Sequence, residues 1–323
     1  MAFTEKIIKA ISERCIGKKN IQFSVGILSN GQEEMKLFGE QGEVTEFRKY
    51  NYEIGSITKT FTGLLLAKAI EENKVNLKDS ISKYITELDS SKYYPTLERL
   101  ASHTSGCPAD PEEYDLDPRY IKANPFFAVT REEVIEQLKN TEFENKVYPF
   151  NYSNFGCSIV GYVLERVYNE DFDTLLKELL KELDLNETYT HDVTYDLNGF
   201  NSMNENCGNW KWHKGSAYCP AGYMNSNISD MLKYAKAQLD NEGSWNHLTH
   251  KTIGTMQEAN PRMETGLFWF KIPARNIVWH NGGTGCFSSI ICVDKNKENI
   301  IVAFSNYHDD TDMTFILGLL ASM

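Results

Sequence analysis

Ser56 and Lys59 form a Ser-x-x-Lys pair that could carry nucleophilic chemistry. The pair follows a strand-like stretch, Tyr50 to Ile54, and opens an apolar helix predicted to run to about Asn73. One helical turn separates the two residues, so the hydroxyl and the ammonium share a face. Gly55 allows a tight turn from strand to helix, and the first helical turn leaves backbone N–H groups for an oxyanion. This spacing indicates acyl transfer, with a serine nucleophile beside its own base.

The same motif occurs a second time, as Ser80-Ile81-Ser82-Lys83. This copy follows Asn76-Leu77-Lys78-Asp79 in a polar, broken stretch, and we interpret it as solvated residues near a helix start. The motif alone therefore does not select Ser56. The strand before it and the apolar helix after it do.

Tyr152-Ser153-Asn154 precedes a predicted helix, Phe155 to Leu164, which has small residues in its first turns and apolar residues throughout. A loop at that place can project a phenol and an amide into a cleft. Tyr152 could move a proton if lysine charges depress its pKa, and Asn154 could orient Lys59 or a substrate carbonyl. The alternative is a packed tyrosine followed by a helix-capping asparagine. Tyr223-Met224-Asn225 is a similar triplet without that context.

His280-Asn281-Gly282-Gly283 ends a predicted strand, Asn276 to His280. Glycines after a strand let the backbone approach a ligand closely, so Gly282 and Gly283 are candidate binding residues. The N–H of Gly283 could supply a second oxyanion donor while His280 lines the site. The alternative is a tight turn after a half-buried histidine. His213-Lys214-Gly215 matches loosely, but no strand precedes it.

Composition restricts the class of partner. The chain has 323 residues and a formal charge of −12, which argues against nucleic acid because phosphate binding needs clustered Lys and Arg. The longest apolar runs are too short to span a bilayer, and the N-terminus lacks the apolar core of a secretory signal. We therefore predict a cytoplasmic protein, or a periplasmic or extracellular one if a leader was removed.

The seven cysteines show neither an even count nor a Cys-x-x-Cys pair, so the sequence predicts neither a disulfide framework nor a zinc cluster. Cys207 and Cys219 flank one loop and could bridge in an oxidising setting. No metal and no organic cofactor is expected.

Strand patterns occur at both ends of the chain, and helical patterns fill the middle. Alternating residues predict a hairpin over 21–39, and further strands are predicted at 266–272, 276–280, 287–293 and 299–304. The expected fold is α+β, an α/β/α sandwich with one antiparallel sheet built from the two ends and flanked by helices. We place the sheet region at 1–74 and 225–323 and an inserted, mostly helical region at 75–224. The active site is expected at their junction.

Taken together and in order, these motifs resemble the serine hydrolases of the class C β-lactamase and D-Ala-D-Ala carboxypeptidase type, which share the penicillin-binding-protein fold. The resemblance is densest in Tyr52 to Gly63, Val75 to Asp79 and Leu100 to Gly106. It continues in Tyr152 to Gly156, Pro220 to Ser226 and His280 to Gly285. It implies a β-lactamase/transpeptidase-like fold.

The resemblance also implies roles for the residues. Ser56 would be the nucleophile, Lys59 and Tyr152 the acid/base pair, and Asn154 a substrate-positioning residue. His280 stands where dedicated class C β-lactamases carry Lys, and histidine is largely neutral at pH 7. A strong β-lactamase is thus less expected than an esterase or D-aminopeptidase.

Specificity is expected to come from aromatic loops. Trp210 and Trp212 lie in a polar loop and are candidate substrate-binding residues, whereas Phe268 and Phe270 are interpreted as core. The predicted partner is a small-molecule or peptide-like acyl substrate. The alternatives are a true β-lactamase, a DD-carboxypeptidase or D-aminopeptidase, an acyltransferase, and a non-catalytic penicillin-binding sensor. The sequence leaves the oligomeric state open.

Overall fold

The structure is a computed structural model, and it describes residues 2–110, 124–190, 196–239, 246–258, 262–308 and 313–323. Within these residues a nine-stranded antiparallel sheet dominates the fold. Its strands are β1 Phe23–Ser29, β2 Gln32–Phe38, β3 Val44–Thr45, β7 Gly254–Gln257, β8 Met263–Thr265, β9 Phe270–Ile272, β10 Ile277–Gly283, β11 Ser288–Asp294 and β12 Asn299–Ser305. Their spatial order is β3-β2-β1-β12-β11-β10-β9-β8-β7.

Two small two-stranded sheets and a set of helices complete the described chain. The small sheets pair β4 Tyr52–Glu53 with β6 Asn225–Ser226, and β5 Phe200–Asn201 with β13 Tyr307–His308. The helices are α1 Glu5–Cys15, α2 Thr58–Glu71, α3 Leu97–Ala101, α4 Arg131–Asn140, α5 Asn154–Tyr168, α6 Phe172–Glu182, α7 Cys219–Gly222, α8 Ile228–Ala237, α9 Asn246–Thr249 and α10 Phe315–Ala321.

The two ends of the chain meet in the middle of the large sheet. Strand β1 pairs with β12 in the register Phe23 opposite Ser305 and Ile27 opposite Ile301. The strands therefore come from both ends, and the predicted α+β class with an antiparallel sheet is confirmed. The division at residues 74 and 225 stays a prediction.

Each face of the sheet carries its own hydrophobic core. Because side chains alternate along a strand, Ile300 and Val302 of β12 join one buried cluster, and Ile301 and Ala303 join the other. Helices α1 and α10 cover the second face, and α2, α5 and α8 belong to the cluster on the first. The sheet is thus enclosed between two helical layers.

One predicted strand is wrong in its extent. The stretch 266–272 is divided, because a turn over 266–269 separates β8 from β9. Phe268 adopts a φ of 59° in this turn, and its N–H donates to the carbonyl of Ala101 at 3.0 Å. Contacts with the helical side of the molecule therefore override the strand propensity of these apolar residues. Phe268 and Phe270 are both buried, as expected of core residues.

None of the helices in the described ranges combines the length and apolar character that a bilayer crossing needs.

Candidate active site

The candidate nucleophile lies on a short 3-10 helix, Gly55–Ile57, between β4 and α2. Gly55 has a φ of 48°, and a Cβ on it would come within 2.6 Å of the carbonyl oxygen of Gly283. Only glycine fits this turn, because both the backbone angle and the close approach exclude a side chain. The turn leaves Ser56 partly exposed at the start of an otherwise buried helix.

Lys59 is fully buried and directed at Ser56. Its Nζ donates to Ser56 Oγ at 2.9 Å and to the carbonyl oxygen of Ala221 at 2.7 Å. Burial disfavours the ammonium and lowers the pKa of Lys59 to about 8. Roughly a tenth of the side chain is therefore neutral at pH 7, far more than for an ordinary lysine, and this neutral form can act as a general base.

Tyr152 lies next to this pair, but its phenol is not depressed in pKa. The Lys59 Nζ lies 4.9 Å from the centroid of the Tyr152 ring, over its face rather than at the oxygen. Burial raises the pKa of Tyr152 well above its ordinary value, and the neighbouring Ser56 hydroxyl opposes this only in part. The phenolic oxygen has no hydrogen-bond partner within the described chain. The hypothesis that lysine charges depress the pKa of Tyr152 is therefore wrong, and the phenol is a neutral donor in the resting site.

Asn154 is the first residue of α5, and the cap of this helix is its neighbour. Ser153 Oγ accepts the N–H of Gly156 at 2.7 Å, which is a standard N-cap bond. The Asn154 amide instead donates to Asp110 Oδ1 at 2.7 Å. The charge of Asp110 raises the pKa of Lys59, although burial outweighs it. Asn154 is thereby placed beside the site and bonded to an acid that the motifs did not indicate.

His280 lies within β10 and forms a neutral wall of the site. The ring is fully buried, stacks on Phe270 at 4.6 Å, and has Nδ1 at 2.6 Å from the carbonyl oxygen of Asn281. Burial and the charge of Lys59 lower the pKa of His280 to about 3. Strand β10 therefore presents no cation from this position.

His103 is a second buried histidine, and no motif in the sequence predicted its role. Its ring centroid lies 4.7 Å from that of Tyr152, and its Nδ1 accepts the N–H of Ser153 at 3.1 Å. Burial and the Lys59 charge hold its pKa well below the ordinary value. His103 fixes the Tyr152 loop as a neutral acceptor. Its place in Leu100 to Gly106, a stretch already singled out, was the available signal.

Gly282 and Gly283 bring β10 against the nucleophile turn. A Cβ on Gly282 would lie 2.0 Å from the carbonyl oxygen of Ile54 and 2.9 Å from the backbone nitrogen of Ser56. A Cβ on Gly55 would lie 2.8 Å from the nitrogen of Gly283. The backbone nitrogens of Ser56 and Gly283 therefore line the same small region, as two oxyanion donors must.

Gly282→Ala should separate these two segments. The new methyl group meets backbone atoms of Ile54 and Ser56, which cannot yield as a flexible side chain would, so β10 must shift. We expect kcat/KM to fall about 10²- to 10³-fold, the usual effect of losing one oxyanion donor. Steady-state kinetics and thermal unfolding check this. Gly318→Ala is the matched control, because nothing lies within 4 Å of its Cβ position. Wild-type kinetics in Gly282→Ala would contradict the placement.

Trp210 and Trp212 belong to an aromatic cluster beside the site. Their ring centroids are 6.0 Å apart, and both rings pack on Phe126. The backbone N–H of Trp210 donates to Glu53 Oε1 at 2.6 Å, which anchors its loop to the strand that leads to Ser56. Trp212 lines a cavity of about 270 Å³ that none of Ser56, Lys59 or Tyr152 borders. Substrate binding by either tryptophan stays a prediction.

A disulfide joins two loops at the site. Cys207 bonds to Cys286, 79 residues further along the chain, with Cα atoms 6.2 Å apart. The considered pairing of Cys207 with Cys219 is wrong, because Cys219 is a buried free thiol. The bond connects a residue just before the tryptophan loop, residues 209–213, to the turn that follows β10.

No group of three or more His, Cys, Asp and Glu side chains within the described ranges is arranged to hold a metal ion.

Comparison with known proteins agrees with this architecture. The family model Beta-lactamase matches residues 23–319. The chain therefore belongs to the beta-lactamase family, and the resemblance drawn from the motifs is confirmed.

Several relatives and solved structures are similar over most of the chain. Protein flp of Staphylococcus aureus (strain MW2) is 26% identical over 332 residues, covering 95% of this chain and 64% of that protein. A Beta-lactamase of Providencia stuartii is 26% identical over 292 residues, covering 87% and 70%. The crystal structure of Beta-Lactamase/D-Alanine Carboxypeptidase from Pseudomonas syringae superposes with a TM-score of 0.78 at 18% identity, covering 98% of each chain.

Proposed function

We propose that the protein is a serine hydrolase that acts through an acyl-enzyme on Ser56, with an ester, amide or peptide-like substrate. The observation that carries this proposal is the hydrogen bond of 2.9 Å between the buried Lys59 Nζ and the partly exposed Ser56 Oγ. A lysine with a pKa lowered to about 8 can accept the hydroxyl proton as the oxygen attacks.

The remaining groups supply the other steps. Lys59 takes the Ser56 proton while Oγ bonds to the substrate carbonyl carbon, and the oxyanion rests on the N–H groups of Ser56 and Gly283. Tyr152, a neutral donor, protonates the leaving group and recovers its proton from the Lys59 ammonium. Water then attacks the carbonyl carbon of the acyl-enzyme and gives one proton to the Tyr152–Lys59 pair. The bond between that carbon and Ser56 Oγ breaks, the pair returns the proton to Oγ, and the acid is released.

The proposed substrate class rests on the uncharged side chain of His280, which forms one wall of the site. His280 is uncharged near pH 7, so β10 holds no cation there to bind the carboxylate of a penicillin or a peptide C-terminus. We therefore favour esters and amides without that carboxylate. The names of the Providencia and Pseudomonas relatives support β-lactam or D-alanyl substrates as the second candidate. An acyltransferase and a penicillin-binding sensor remain as alternatives with the same acyl-enzyme.

Protein flp is a longer relative of this chain. The chain spans 64% of its length, so the activity and partners of the complete protein are also proposals.

The Cys207–Cys286 pair bears on the compartment. Disulfides persist in oxidising compartments and are rare in the cytosol. The pair therefore supports a periplasmic or extracellular location over the cytoplasmic one.

A substrate panel tests this function. Purified protein would be mixed with short-chain nitrophenyl esters, a penicillin, a cephalosporin and D-amino-acid amides, while hydrolysis and intact mass are recorded together. We expect turnover of uncharged esters or amides with a larger kcat/KM than for either β-lactam. Faster β-lactam turnover would establish the second candidate. A stable adduct without turnover would identify the sensor. The absence of both an adduct and turnover would contradict the hydrolase.

A further inference from the structure

One buried acid next to the site has no role in the proposed mechanism. Glu53 lies three residues before Ser56, is only 4% exposed, and accepts the backbone N–H of Trp210 through Oε1 at 2.6 Å. Its second oxygen, Oε2, is buried without a hydrogen-bond partner among the described residues. A buried carboxyl with an unsatisfied oxygen is unfavourable for stability alone.

The groups around this carboxyl are neutral donors from segments that form the site. The Thr284 hydroxyl and the Asn209 amide lie close enough to favour its ionised form, although neither is in hydrogen-bond geometry. Asn225 of β6 lies opposite Glu53 in the short sheet. Thr284 directly follows Gly283, so Glu53 faces both the tryptophan loop and the end of β10.

We propose that Glu53 is a positioning residue whose carboxylate draws the Trp210 N–H and the Thr284 hydroxyl together, and so holds the Gly283 backbone against Ser56. This inference rests on the proposed function of that site. A carboxylate has lone pairs for all three neighbouring donors, whereas a protonated carboxyl must place one more O–H among them. The ionised form is therefore the ordering form.

A covalent bond joins the same two segments independently. Cys207 precedes the tryptophan loop and Cys286 follows Thr284, and their disulfide ties loop to turn. The disulfide already limits how far the turn after β10 can move from the tryptophan loop. A single carboxylate between these two segments can therefore fix the position of the turn. Glu53 thus acts through Thr284 on the oxyanion donor and never touches the substrate.

Protonation of Glu53 has opposite effects on order at the site and on stability. Burial raises its pKa to about 7, so the carboxyl ionises in the neutral range. A carboxyl with a raised pKa contributes stability below its unfolded pKa and loses it as pH rises through the folded value. The carboxylate therefore orders the site above pH 7 while it destabilises the fold there.

Fluorophosphonate labelling tests this inference without any chosen substrate. Ser56 Oγ would bond to phosphorus, fluoride would leave, and the hydroxyl proton would pass to Lys59. Labelling rates by intact mass and thermal unfolding would be measured from pH 5 to 9 for wild type, Glu53→Gln, Thr284→Val and the double variant. Glu136→Gln, an exposed glutamate on α4, is the matched control.

We expect Glu53→Gln to label about tenfold more slowly at pH 8, as the loss of a hydrogen bond to a charged group predicts. In wild type, the rise of the labelling rate with pH should contain two ionisations, those of Glu53 and Lys59. In Glu53→Gln it should contain only that of Lys59. The melting temperature of Glu53→Gln should exceed that of wild type at pH 8 and approach it at pH 5. Thr284→Val should add no further loss in the double variant.

A wild-type rate and pH profile in Glu53→Gln would overturn the inference. So would slow labelling together with lower stability at pH 8, which would show a purely structural role. If wild type labels but turns over no member of the substrate panel, the proposed function fails and the labelling rates still decide the role of Glu53. A wild type that does not label at all would overturn both.

Discussion

Ser56→Ala should abolish both turnover and the acyl adduct. In the proposed mechanism the hydroxyl oxygen forms the covalent bond, and nothing in alanine replaces it. From other serine hydrolases in which the nucleophile was removed, the loss in kcat is expected to be roughly 10⁴- to 10⁶-fold. Steady-state hydrolysis of the best panel substrate and intact mass after mixing would measure it. Because Ser56 is partly exposed and takes no part in the core, the fold should survive the change.

The chain offers a matched control for this variant. Ser80 opens the second Ser-x-x-Lys, but Lys83 Nζ bonds to Asp79 Oδ2 at 2.7 Å rather than to the serine. Ser80 Oγ instead caps a short 3-10 helix and bonds to the carbonyl oxygen of Tyr94. Ser80→Ala should cost about 1 kcal/mol of stability and leave kcat/KM unchanged. If Ser56→Ala turned over substrate at the wild-type rate, the assignment of Ser56 as the nucleophile would be wrong.

The central sheet was predictable from sequence because its strands carry strong local signals. The hairpin of β1 and β2 alternates around Asn30-Gly31, and β11 and β12 are continuous apolar runs joined by a polar turn. The strands β7 and β8 were missed, since four and three residues of mixed polarity give no period. Phe268 shows the opposite failure, in which apolar residues that favour a strand are drawn into a turn by the core.

The site was predictable in residue type but not in environment. The motifs indicate a serine, a lysine and a tyrosine at suitable places, and the structure brings Ser56 and Lys59 into contact. No sequence pattern states how deeply each group is buried, so the direction of the Tyr152 pKa could not be read from it. The partner of Cys207 was equally out of reach, because the connectivity of cysteines distant in sequence follows only from the fold.

Lys59 is the general base of the proposed mechanism, and Lys59→Met should remove that base while keeping most of the length of the side chain. General base catalysis contributes about 10²- to 10⁴-fold, so kcat/KM should fall by that amount. In wild type, kcat/KM should rise with pH through about 8, because Lys59 must be neutral to accept the serine proton. Lys59→Met should lose this rise. The measurement is kcat/KM against pH from 6 to 10, with Lys83→Met as the control.

The same substitution should stabilise the protein at neutral pH, which separates a lost base from a damaged fold. A lysine whose folded pKa is lowered binds fewer protons in the native state than in the unfolded chain between about pH 8 and 10.5, so wild-type stability rises across that window. Below it the buried ammonium costs on the order of 3 kcal/mol. Lys59→Met should therefore melt higher than wild type at pH 7, and the difference should shrink towards pH 10. A variant that is both inactive and less stable at pH 7 would mean that the Lys59 ammonium supports the fold through Ala221, and the assignment of a near-neutral base would fail.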